Sequence, residues 1–547
     1  MAKKRDRPQY ARQALQSLGD QFDRLPIFAR ARPIAVYNYV AVADLDALRS
    51  HALDPDSGLH ASHRRLIESS AYTIPSIFRK CADAPIAGEA LREETYREAE
   101  AAYEFAYKFE SIAYAYELAD RGQFRVYVAS SDPRITFVYA NANADSADTR
   151  LRASEVLNIA PPDGNAAPEI EDLVNELRPR VVAIRRDRCD YEYSDRLIGL
   201  AGEYGLQKLA RTNRLQLPED LTIGDLTVRD LRAFWAALMA ISDIHTVAHW
   251  IADDGLLDDL PINTIVLCKP LAEFTQLIAR ISGLAVDAVN YLLNIFTYDV
   301  AIADRVPILQ PLLPVDNDRL CLPTSFVNGN SFERNFRKLL HHHPRLREFV
   351  DEFESDLEPA ALRTLSDLFP HPRFTTVLQL QIPNVTDVDV LVFDLDAGFA
   401  LVIEHKWLIA PDTLRESISN DEKLARGSQQ ATRSCQYLRD HHDYLRDSLG
   451  LPRNQEINTI EGVVVSRGLE PTGFQAMNHE IPIVTERAFT ELRTQTDGVP
   501  RLWELLMVRP DHDRAEARAA DIRSVLSLGG YEFVLPGMAV AMDRNEQ

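Results

Sequence analysis

Residues 386–406, with the sequence TDVDVLVFDLDAGFALVIEHK, constrain this chain more than any other stretch. Two runs rich in Val, Ile, Leu and Phe flank a loop that contains Asp394 and Gly398, which is the pattern of a β-hairpin. Alternate side chains of a strand point to opposite faces, so Glu404 and Lys406 share one face of the second strand. Both faces are otherwise mostly apolar, so we expect protein to cover this strand on both sides.

The charged pair in this strand needs compensation. Burying a carboxylate or an ammonium group costs several kcal/mol unless a metal ion or an opposite charge offsets it. The first strand of the hairpin offers a second carboxylate, Asp389, on a face that it shares with Leu391 and Phe393. The charged residues of the hairpin therefore indicate a metal-binding or catalytic site rather than a purely structural hairpin of the core.

Two registers of the hairpin would bring a carboxylate beside Glu404. With Phe393 opposite Ala400, Asp389 lies directly across from Glu404. With the strands shifted by two residues, Asp387 lies across and Asp389 is on the diagonal. Either register places the carboxylates roughly 5 to 8 Å apart at Cβ, close enough to share a divalent ion.

Asp389, followed by a loop and then by Glu404-His405-Lys406 on the next strand, resembles the motif of the PD-(D/E)xK nuclease superfamily, which has the restriction-endonuclease-like fold. The resemblance extends over residues 346–506 and includes a helix after the second strand and two further strands. It implies an α/β domain with a mixed central sheet flanked by helices. The proline before the aspartate, which gives the family its name, is absent here, as it is in many members.

The resemblance also implies roles for the residues of the motif. Asp389 and Glu404 would hold Mg²⁺ or Mn²⁺, and Lys406 would orient the attacking water, help to deprotonate it or stabilise transition-state charge. In this superfamily, a helix before the sheet often adds an acidic residue to the metal site. Glu354 is the first choice for that residue and Glu358 the second, although a solvated acidic helix face explains both equally well.

Residues 421–437, after the hairpin, have the pattern of a helix. Gln430 matches the position where members of the superfamily often place a glutamine near the site, and we assign it to the catalytic residues on that ground. Arg426, Arg433 and Tyr437 lie on the same helical stripe, where they would line a phosphate-binding cleft and contact nucleic acid. A polar helix face without a function accounts for the stripe equally well.

The rest of the chain indicates a multidomain protein, since 547 residues normally form two to four domains. We expect a mainly α-helical N-terminal region with a β-hairpin over residues 1–165 and a helical domain over 166–330. The nuclease-like α/β domain would follow over 331–547. A long helix is predicted over 92–119, and the segment 141–169, rich in Asn, Ala, Asp and Pro, is the best candidate for a linker.

Charge and cysteine content narrow the class of protein. The net charge of −22 counts against a nucleic-acid partner, because phosphate binding normally leaves a basic footprint, so any such site must be a local patch. The five cysteines form no CxxC pair, which argues against a structural zinc or a disulfide framework and fits a reducing cytoplasm. No apolar run reaches membrane-spanning length and the start of the chain lacks a signal-peptide core, so we expect a cytoplasmic protein without a membrane partner.

A pair of histidines invites a second metal hypothesis. His245 and His249 are four residues apart on one face of a predicted helix, as in the HExxH zinc proteases. Thr246 stands where the general-base glutamate of that motif belongs. We therefore expect both histidines to be core or interface residues.

Three functional hypotheses remain. The first is a Mg²⁺- or Mn²⁺-dependent endonuclease that hydrolyses nucleic acid, with DNA as the favoured substrate; its helical N-terminal region would bind substrate, a protein partner or a second copy of the chain. Through the resemblance, this hypothesis is associated with bacterial defence, restriction or repair. The second is a catalytically idle nuclease-like fold that binds nucleic acid or protein. The third is a scaffold in which Lys406 forms a structural ion pair with a carboxylate.

Overall fold

The computed structural model of the protein describes most of the chain. The described residues are 7–53, 58–84, 93–128, 134–140, 170–185, 188–212, 217, 219, 221–252, 265–303, 306–328, 332–383, 385, 387–408, 414–467, 480–508 and 523–536. Within these ranges, no helix is both long enough and apolar enough to cross a membrane. The predicted linker 141–169 lies outside the described residues.

The N-terminal part of the chain is mainly helical and has one large apolar core, which runs in sequence from Phe22 to Leu357. The long helix predicted over 92–119 is confirmed. The helices of this part are α1 (Arg7–Phe22), α2 (Arg32–Leu53), α3 (Gly58–Lys80), α4 (Glu93–Asp120), α5 (Glu171–Leu177), α6 (Asp195–Thr212), α7 (Val228–Ala252), α8 (Leu271–Ser282), α9 (Val286–Phe296), α10 (Thr324–Asn328) and α11 (Phe332–His342).

Short strands accompany these helices. A hairpin, β1 (Phe124–Val128) and β2 (Arg134–Tyr139), follows α4. The remaining strands of this part are β3 (Val181–Arg185), β4 (Arg188–Tyr191), β5 (Thr222–Ile223), β6 (Leu226–Thr227), β7 (Leu267–Pro270), β8 (Leu313–Pro314) and β9 (Arg319–Leu322). The last three form a small antiparallel sheet with β9 in the centre.

His245 and His249 lie in the core of the helical part, as predicted. Both are buried on α7. The Nδ1 atom of His245 is 3.1 Å from the hydroxyl oxygen of Tyr191, and its Nε2 atom is 3.0 Å from the carbonyl oxygen of Ile265. Both ring nitrogens of His245 are therefore used in contacts within the core. This is the structural role expected because the general-base glutamate of the HExxH motif is absent.

The C-terminal part contains a five-stranded mixed sheet, β10 (Phe374–Gln381), β11 (Asp387–Asp394), β12 (Phe399–Trp407), β13 (Thr459–Arg467) and β14 (Ile483–Thr485), in that spatial order. The first three strands pair antiparallel and the last three pair parallel. The helices of this part are α12 (Val350–Asp367), α13 (Leu414–Asp440), α14 (His442–Leu449), α15 (Glu486–Thr494) and α16 (Val499–Val508). A mixed sheet flanked by helices is the coarse architecture predicted from the sequence.

Helices cover both faces of this sheet. One face carries Leu401, Ile403 and Val465 and packs against α12, α15 and α16. The opposite face carries Ala400 and Val402 and packs against α13 and α14. Each fully buried Val, Leu or Ile side chain contributes about 1.5–3 kcal/mol, so β12 is held firmly between two layers.

The turn between β11 and β12 fixes the register of the hairpin. Gly398 has a φ of 64° and its N–H donates to the carbonyl oxygen of Asp394 at 2.9 Å. A Cβ atom at Gly398 would lie 2.7 Å from Nδ2 of Asn458 and 2.8 Å from the carbonyl oxygen of Glu456. Glycine therefore meets both the left-handed backbone and the close approach of the β13 loop at this position.

A second sheet joins the hairpin β1–β2 of the helical part to a hairpin near the C-terminus. The C-terminal hairpin, β15 (Arg523–Leu528) and β16 (Tyr531–Pro536), pairs with β2 to give the order β1-β2-β16-β15. A separate apolar core lies under this sheet and includes Ile418 of α13. The predicted domain boundaries did not include this pairing, which removes residues 523–536 from the layers around the five-stranded sheet.

Candidate active site

The carboxylates of β11 and β12 meet where the hairpin ladder ends. Phe393 pairs with Ala400, and the last backbone pair is Val390 with Ile403, so continuing the register by one residue puts Asp389 across from Glu404. This is the first of the two predicted registers. The Oδ2 atom of Asp389 accepts a hydrogen bond of 2.6 Å from the backbone N–H of His405. Beyond the last backbone pair, the N–H of His405 thus bonds to the Asp389 side chain, and this bond holds the carboxylate against β12.

Glu404 and Lys406 are bonded to each other. The Nζ atom of Lys406 donates to Oε1 of Glu404 at 2.5 Å. The Glu404 side chain is 4 % exposed and that of Lys406 is 23 % exposed. The second oxygen of Glu404, Oε2, is buried and has no hydrogen-bond partner among the residues that the structure describes.

Asp394, at the other end of β11, is a buried carboxylate with a structural role, and it can be compared with Glu404. Asp394 is fully buried. Its Oδ2 atom accepts from the N–H of Val499 at 3.1 Å, and its Oδ1 atom accepts from the N–H of Asp396 at 3.2 Å. Its charge also faces Arg373, whose Nε atom is 3.5 Å away. Both oxygens of Asp394 are therefore satisfied, whereas Glu404 keeps one buried oxygen available.

The surroundings raise the pKa values of both carboxyl groups at the ladder end. Burial raises the pKa of Asp389 to about 6, against the opposing hydrogen bond from the His405 N–H and the charge of Lys406. Burial and the charge of Asp389 raise the pKa of Glu404 to about 7, against the attraction of Lys406. Two adjacent buried carboxylates are arranged as a cation site is, since the charge of a bound cation would favour both ionised forms and offset the effect of burial.

Helix α13 approaches the site through a glycine. A Cβ atom at Gly427 would lie 2.9 Å from Cε and 3.3 Å from Cγ of Lys406, so the glycine lets the helix pack directly on the lysine stem. Gln430 follows three residues later, on the neighbouring part of the same helix face. Arg426 precedes the glycine and is exposed. Gln430 and Arg426 are therefore within one turn of the Lys406 contact.

Arg433 and Tyr437 lie farther from the carboxylates. Ten residues of helix separate Gly427 from Tyr437, which corresponds to about 15 Å. The neighbouring Arg439 of α13 donates to the carbonyl oxygen of Ile460, at the opposite end of the sheet from Lys406. The ring of Tyr437 stacks on His441 with centroids 4.1 Å apart. The structure thus does not bring Tyr437 to the carboxylates, while Arg433 is exposed at an intermediate position.

The acidic helix before the sheet does approach the site. Glu354 belongs to α12, but its side chain lies outside the described residues. Glu358, the second choice from the sequence, contributes a charge that raises the pKa of Asp389, and so does Asp387. The negative charges of four acidic residues therefore interact at one end of the hairpin, namely those of Glu358, Asp387, Asp389 and Glu404.

His405 faces away from the carboxylates, as predicted. Its Nε2 atom is 4.0 Å from Oε2 of Glu486, which belongs to α15 on the opposite face of the sheet. Burial, together with the charges of Arg467 and Lys406, lowers the pKa of His405 to about 4. The imidazole is therefore neutral near pH 7 and packs inside the fold.

Three residues missed by the sequence analysis form a stack at the end of β12. The guanidinium carbon of Arg467 is 4.0 Å from the ring centroid of Trp407, and that of Arg337 is 5.0 Å from it. Arg337 belongs to α11, so the stack joins the helical part of the chain to the strand that carries Glu404. A tryptophan at the end of an ExK strand was the only sequence signal for this contact.

A backbone irregularity also lies beside Asp389. Gln379 of β10 has a φ of 51°, and among the described non-glycine residues it is the one with a positive φ. The register passes from Leu378–Val390 to Leu380–Val388, so Gln379 is opposite Asp389 at an interruption of the pairing. Strained backbone of this kind often lies beside functional groups, and no sequence pattern indicated it here.

The residues present fit a magnesium-type ion in part. The described residues contain no group of three or more His, Cys, Asp or Glu side chains placed to hold a metal. Mg²⁺, however, is commonly held by one or two carboxylates together with water and the phosphate oxygens of a substrate. Asp389 and Glu404 supply two carboxylates, and the unpartnered Oε2 of Glu404 is a buried oxygen donor of the type that this ion prefers.

Comparison of the chain with protein-family models, with curated proteins and with solved structures gives no match.

Proposed function

We propose that this protein is a Mg²⁺- or Mn²⁺-dependent nuclease with a restriction-endonuclease-like C-terminal domain. The observation that carries the proposal is the buried pair of Asp389 and Glu404, with raised pKa values and one oxygen that has no hydrogen-bond partner among the described residues. Burial of two carboxylates lowers the stability of a fold unless positive charge offsets it. A bound divalent cation would supply that charge to both residues.

Asp389 and Glu404 would hold the ion, and Lys406 would act on the reacting groups. A bound divalent ion would lower the pKa of a water ligand and offset negative charge on the phosphoryl oxygens. Glu404 keeps the Lys406 ammonium group beside the carboxylates through their 2.5 Å bond, and Gly427 leaves room for the lysine stem. From this position Lys406 would orient a water molecule, help to deprotonate it through its positive charge, or stabilise charge on the phosphate.

Local cations support a nucleic-acid substrate despite the net charge of −22. Lys406 lies at the carboxyl end of β12, and the exposed Arg426 lies on α13 next to Gly427, which packs on the Lys406 stem. In sheets with parallel strands, ligands bind beyond the carboxyl ends of the strands, which is where these residues are. DNA is the substrate that we propose first, and RNA is the comparison.

The second candidate is a catalytically idle nuclease-like fold that binds nucleic acid or a protein. The observation that favours it is the ion pair between Lys406 and Glu404, which compensates part of the buried charge without a metal. The two candidates differ in what divalent ions do. A nuclease requires them for turnover, whereas a binding module holds its ligand equally well in a chelator.

The test is cleavage of four substrates, supercoiled plasmid, linear duplex, single-stranded DNA and RNA, with Mg²⁺, with Mn²⁺ and with EDTA. We expect metal-dependent cleavage by the wild type and a loss of at least 100-fold in Lys406→Ala, as for removal of one transition-state contact. Lys423→Ala, an exposed lysine of α13, is the matched control and should keep full activity. Equal cleavage by the wild type and Lys406→Ala would remove the proposed role of the lysine.

A further inference from the structure

Two cysteines that are far apart in sequence face each other in the small sheet of the helical part. Cys268 of β7 pairs with Cys321 of β9 in the antiparallel register. Cys268 is half-buried on an edge strand, and Cys321 is fully buried on the central strand. The two cysteines are 53 positions apart in the sequence, so no short cysteine spacing indicated this pair.

The hydrogen-bond pattern sets the geometry of the pair. The N–H of Leu271 donates to the carbonyl oxygen of Asp318 at 2.7 Å, which makes the 271–318 pair hydrogen-bonded. Hydrogen-bonded and non-hydrogen-bonded pairs alternate along an antiparallel ladder, so 268–321 is a non-hydrogen-bonded pair. Pro270, which has no N–H, occupies the other non-hydrogen-bonded position, as this alternation requires.

Such a position suits a disulfide. Directly opposite residues of a non-hydrogen-bonded pair have Cα atoms about 4.5 Å apart, with their side chains close together. Disulfides form when the Cα atoms are roughly 4.4 to 6.8 Å apart. Because Cys268 and Cys321 are directly opposite in the register, their side chains lie on the same face of the sheet as neighbours.

We propose that Cys268 and Cys321 form a reversible cross-strand disulfide when the protein meets a peroxide. The Cys268 thiol loses its proton and the thiolate attacks one oxygen of hydrogen peroxide; an S–O bond forms, the O–O bond breaks, and the leaving hydroxide takes up that proton to become water. The sulfur of Cys321 then attacks the resulting sulfenic acid; the S–S bond forms, the S–O bond breaks, and a second water leaves with the Cys321 proton. Two thiols thus give two electrons to one peroxide, which is reduced to two waters.

The surroundings assign the first step to Cys268. The hydrogen bond from Cys321 and the positive charges of Arg319 and Lys269 lower the pKa of the Cys268 thiol, against the effect of burial. Burial raises the pKa of Cys321 well above its usual value, so Cys321 is the resolving thiol. The thiolate is the nucleophile in such reactions, which favours the residue that is also reachable from the edge of the sheet.

Two other cysteines provide internal controls. Burial raises the pKa of Cys81 to about 11 and that of Cys435 to about 12. The Sγ atom of Cys81 is 3.7 Å from the carbonyl oxygens of Ile27 and Phe28, and Cys435 lies on α13, so neither belongs to the small sheet that pairs Cys268 with Cys321. Both should remain thiols under conditions that oxidise the pair.

The experiment is peptide mapping of the full chain after treatment with hydrogen peroxide. The remaining thiols are alkylated in denaturant, and the chain is digested without reductant. We expect one cross-linked species that contains Cys268 and Cys321, lighter by about 2 Da than the sum of its two thiol peptides and lost after dithiothreitol. Cys81→Ser should give the same species, and Cys268→Ser should not.

The wild-type map alone decides the proposal, so a variant that fails to fold does not affect it. Alkylation of both Cys268 and Cys321 after peroxide would overturn the proposal. Recovery of Cys268 as sulfinic acid beside an alkylated Cys321 would also overturn it, because that result shows oxidation without resolution. The nuclease proposal does not enter this test.

Discussion

Lys406 bonds only one of the two oxygens of Glu404. Its Nζ atom is 2.5 Å from Oε1, while the buried Oε2 atom has no partner in the described part of the chain. The lysine therefore orders the glutamate without using up its capacity as a ligand. Asp389 is held next to this pair by the N–H of His405 at 2.6 Å, which leaves three charged groups preorganised on two strands.

A comparison of two buried carboxylates tests whether Glu404 serves stability. The pKa of Glu404 in the folded protein is about 7, above its ordinary value of about 4.3, so the native state binds this proton more tightly than the unfolded state. Its contribution to stability is therefore fully present below about pH 4 and is lost as the pH rises to about 7. In EDTA at pH 8, Glu404→Gln should raise the free energy of unfolding by on the order of 1–3 kcal/mol.

Asp394→Asn is the matched control for that comparison. Both oxygens of Asp394 accept hydrogen bonds, so its replacement should lower the free energy of unfolding by about 1–3 kcal/mol. Urea unfolding at pH 5 and pH 8 measures both variants. A wild-type stability that does not fall over this pH range relative to Glu404→Gln would contradict the assignment.

Gly427→Ala tests the placement of Lys406. The new methyl group would lie 2.9 Å from Cε of the lysine, so the flexible stem should move away from the site. We expect cleavage to fall by 10-fold or more, because small displacements of a reacting group are costly, while stability changes by less than about 1 kcal/mol. Gly199→Ala is the control, since no atom lies within 4 Å of its added methyl group.

If Gly427→Ala cleaves as fast as the wild type, the contact between α13 and Lys406 has no part in catalysis. The Mn²⁺-induced stabilisation of Gly427→Ala should equal that of the wild type, because Asp389 and Glu404 are unchanged. This second readout separates a displaced lysine from a damaged metal site.

The exposed arginines of α13 should contribute to nucleic-acid binding through phosphates. In the Lys406→Ala background, Arg426→Ala and Arg433→Ala should each weaken binding and reduce the slope of log K against log salt by about 1. Arg487→Ala, on α15 at the opposite face of the sheet, is the control and should change neither quantity. Identical slopes for all three variants would exclude this helix face as the phosphate contact.

Tyr437 should behave differently from these arginines. Its ring packs on His441 and lies about 15 Å along the helix from Gly427. Tyr437→Ala should therefore lower the melting temperature and leave nucleic-acid affinity per folded molecule unchanged. Thermal melting and fluorescence anisotropy check the two halves of this prediction, and a specific loss of affinity would restore Tyr437 to the interface.

The hairpin could be predicted from the sequence because its evidence is local. The alternation of apolar residues predicted the strands, and the charged residues of the second strand predicted the candidate active site. The choice between two registers could not be made, because it depends on how Gly398 packs against Asn458, some 60 residues away in the chain. The separation of about 15 Å between Tyr437 and Gly427 also follows from the sequence, since ten helical residues lie between them, and the role of Tyr437 as a nucleic-acid contact stays a prediction.

Contacts between distant parts of the chain could not be predicted from the sequence. The pairing of β16 with β2 joins residues about 400 positions apart. The sequence of a short strand does not indicate which other strand it pairs with. Arg337 stacks on Trp407 only because α11 packs beside the end of β12. The Cys268–Cys321 pair is of the same kind, since only the order β7-β9-β8 brings the thiols together.

Calorimetric titration of Mn²⁺ at pH 8 tests the central claim most directly, because it measures metal binding without the need for substrate or activator. The wild type should bind Mn²⁺ and gain thermal stability, and Glu404→Ala should lose both effects. Asp396→Asn, an exposed carboxylate of the same hairpin at 76 % side-chain exposure, should keep them. Absence of Mn²⁺ binding by the wild type, or equal binding by Glu404→Ala, would contradict the account and leave Glu404 and Lys406 as a structural ion pair.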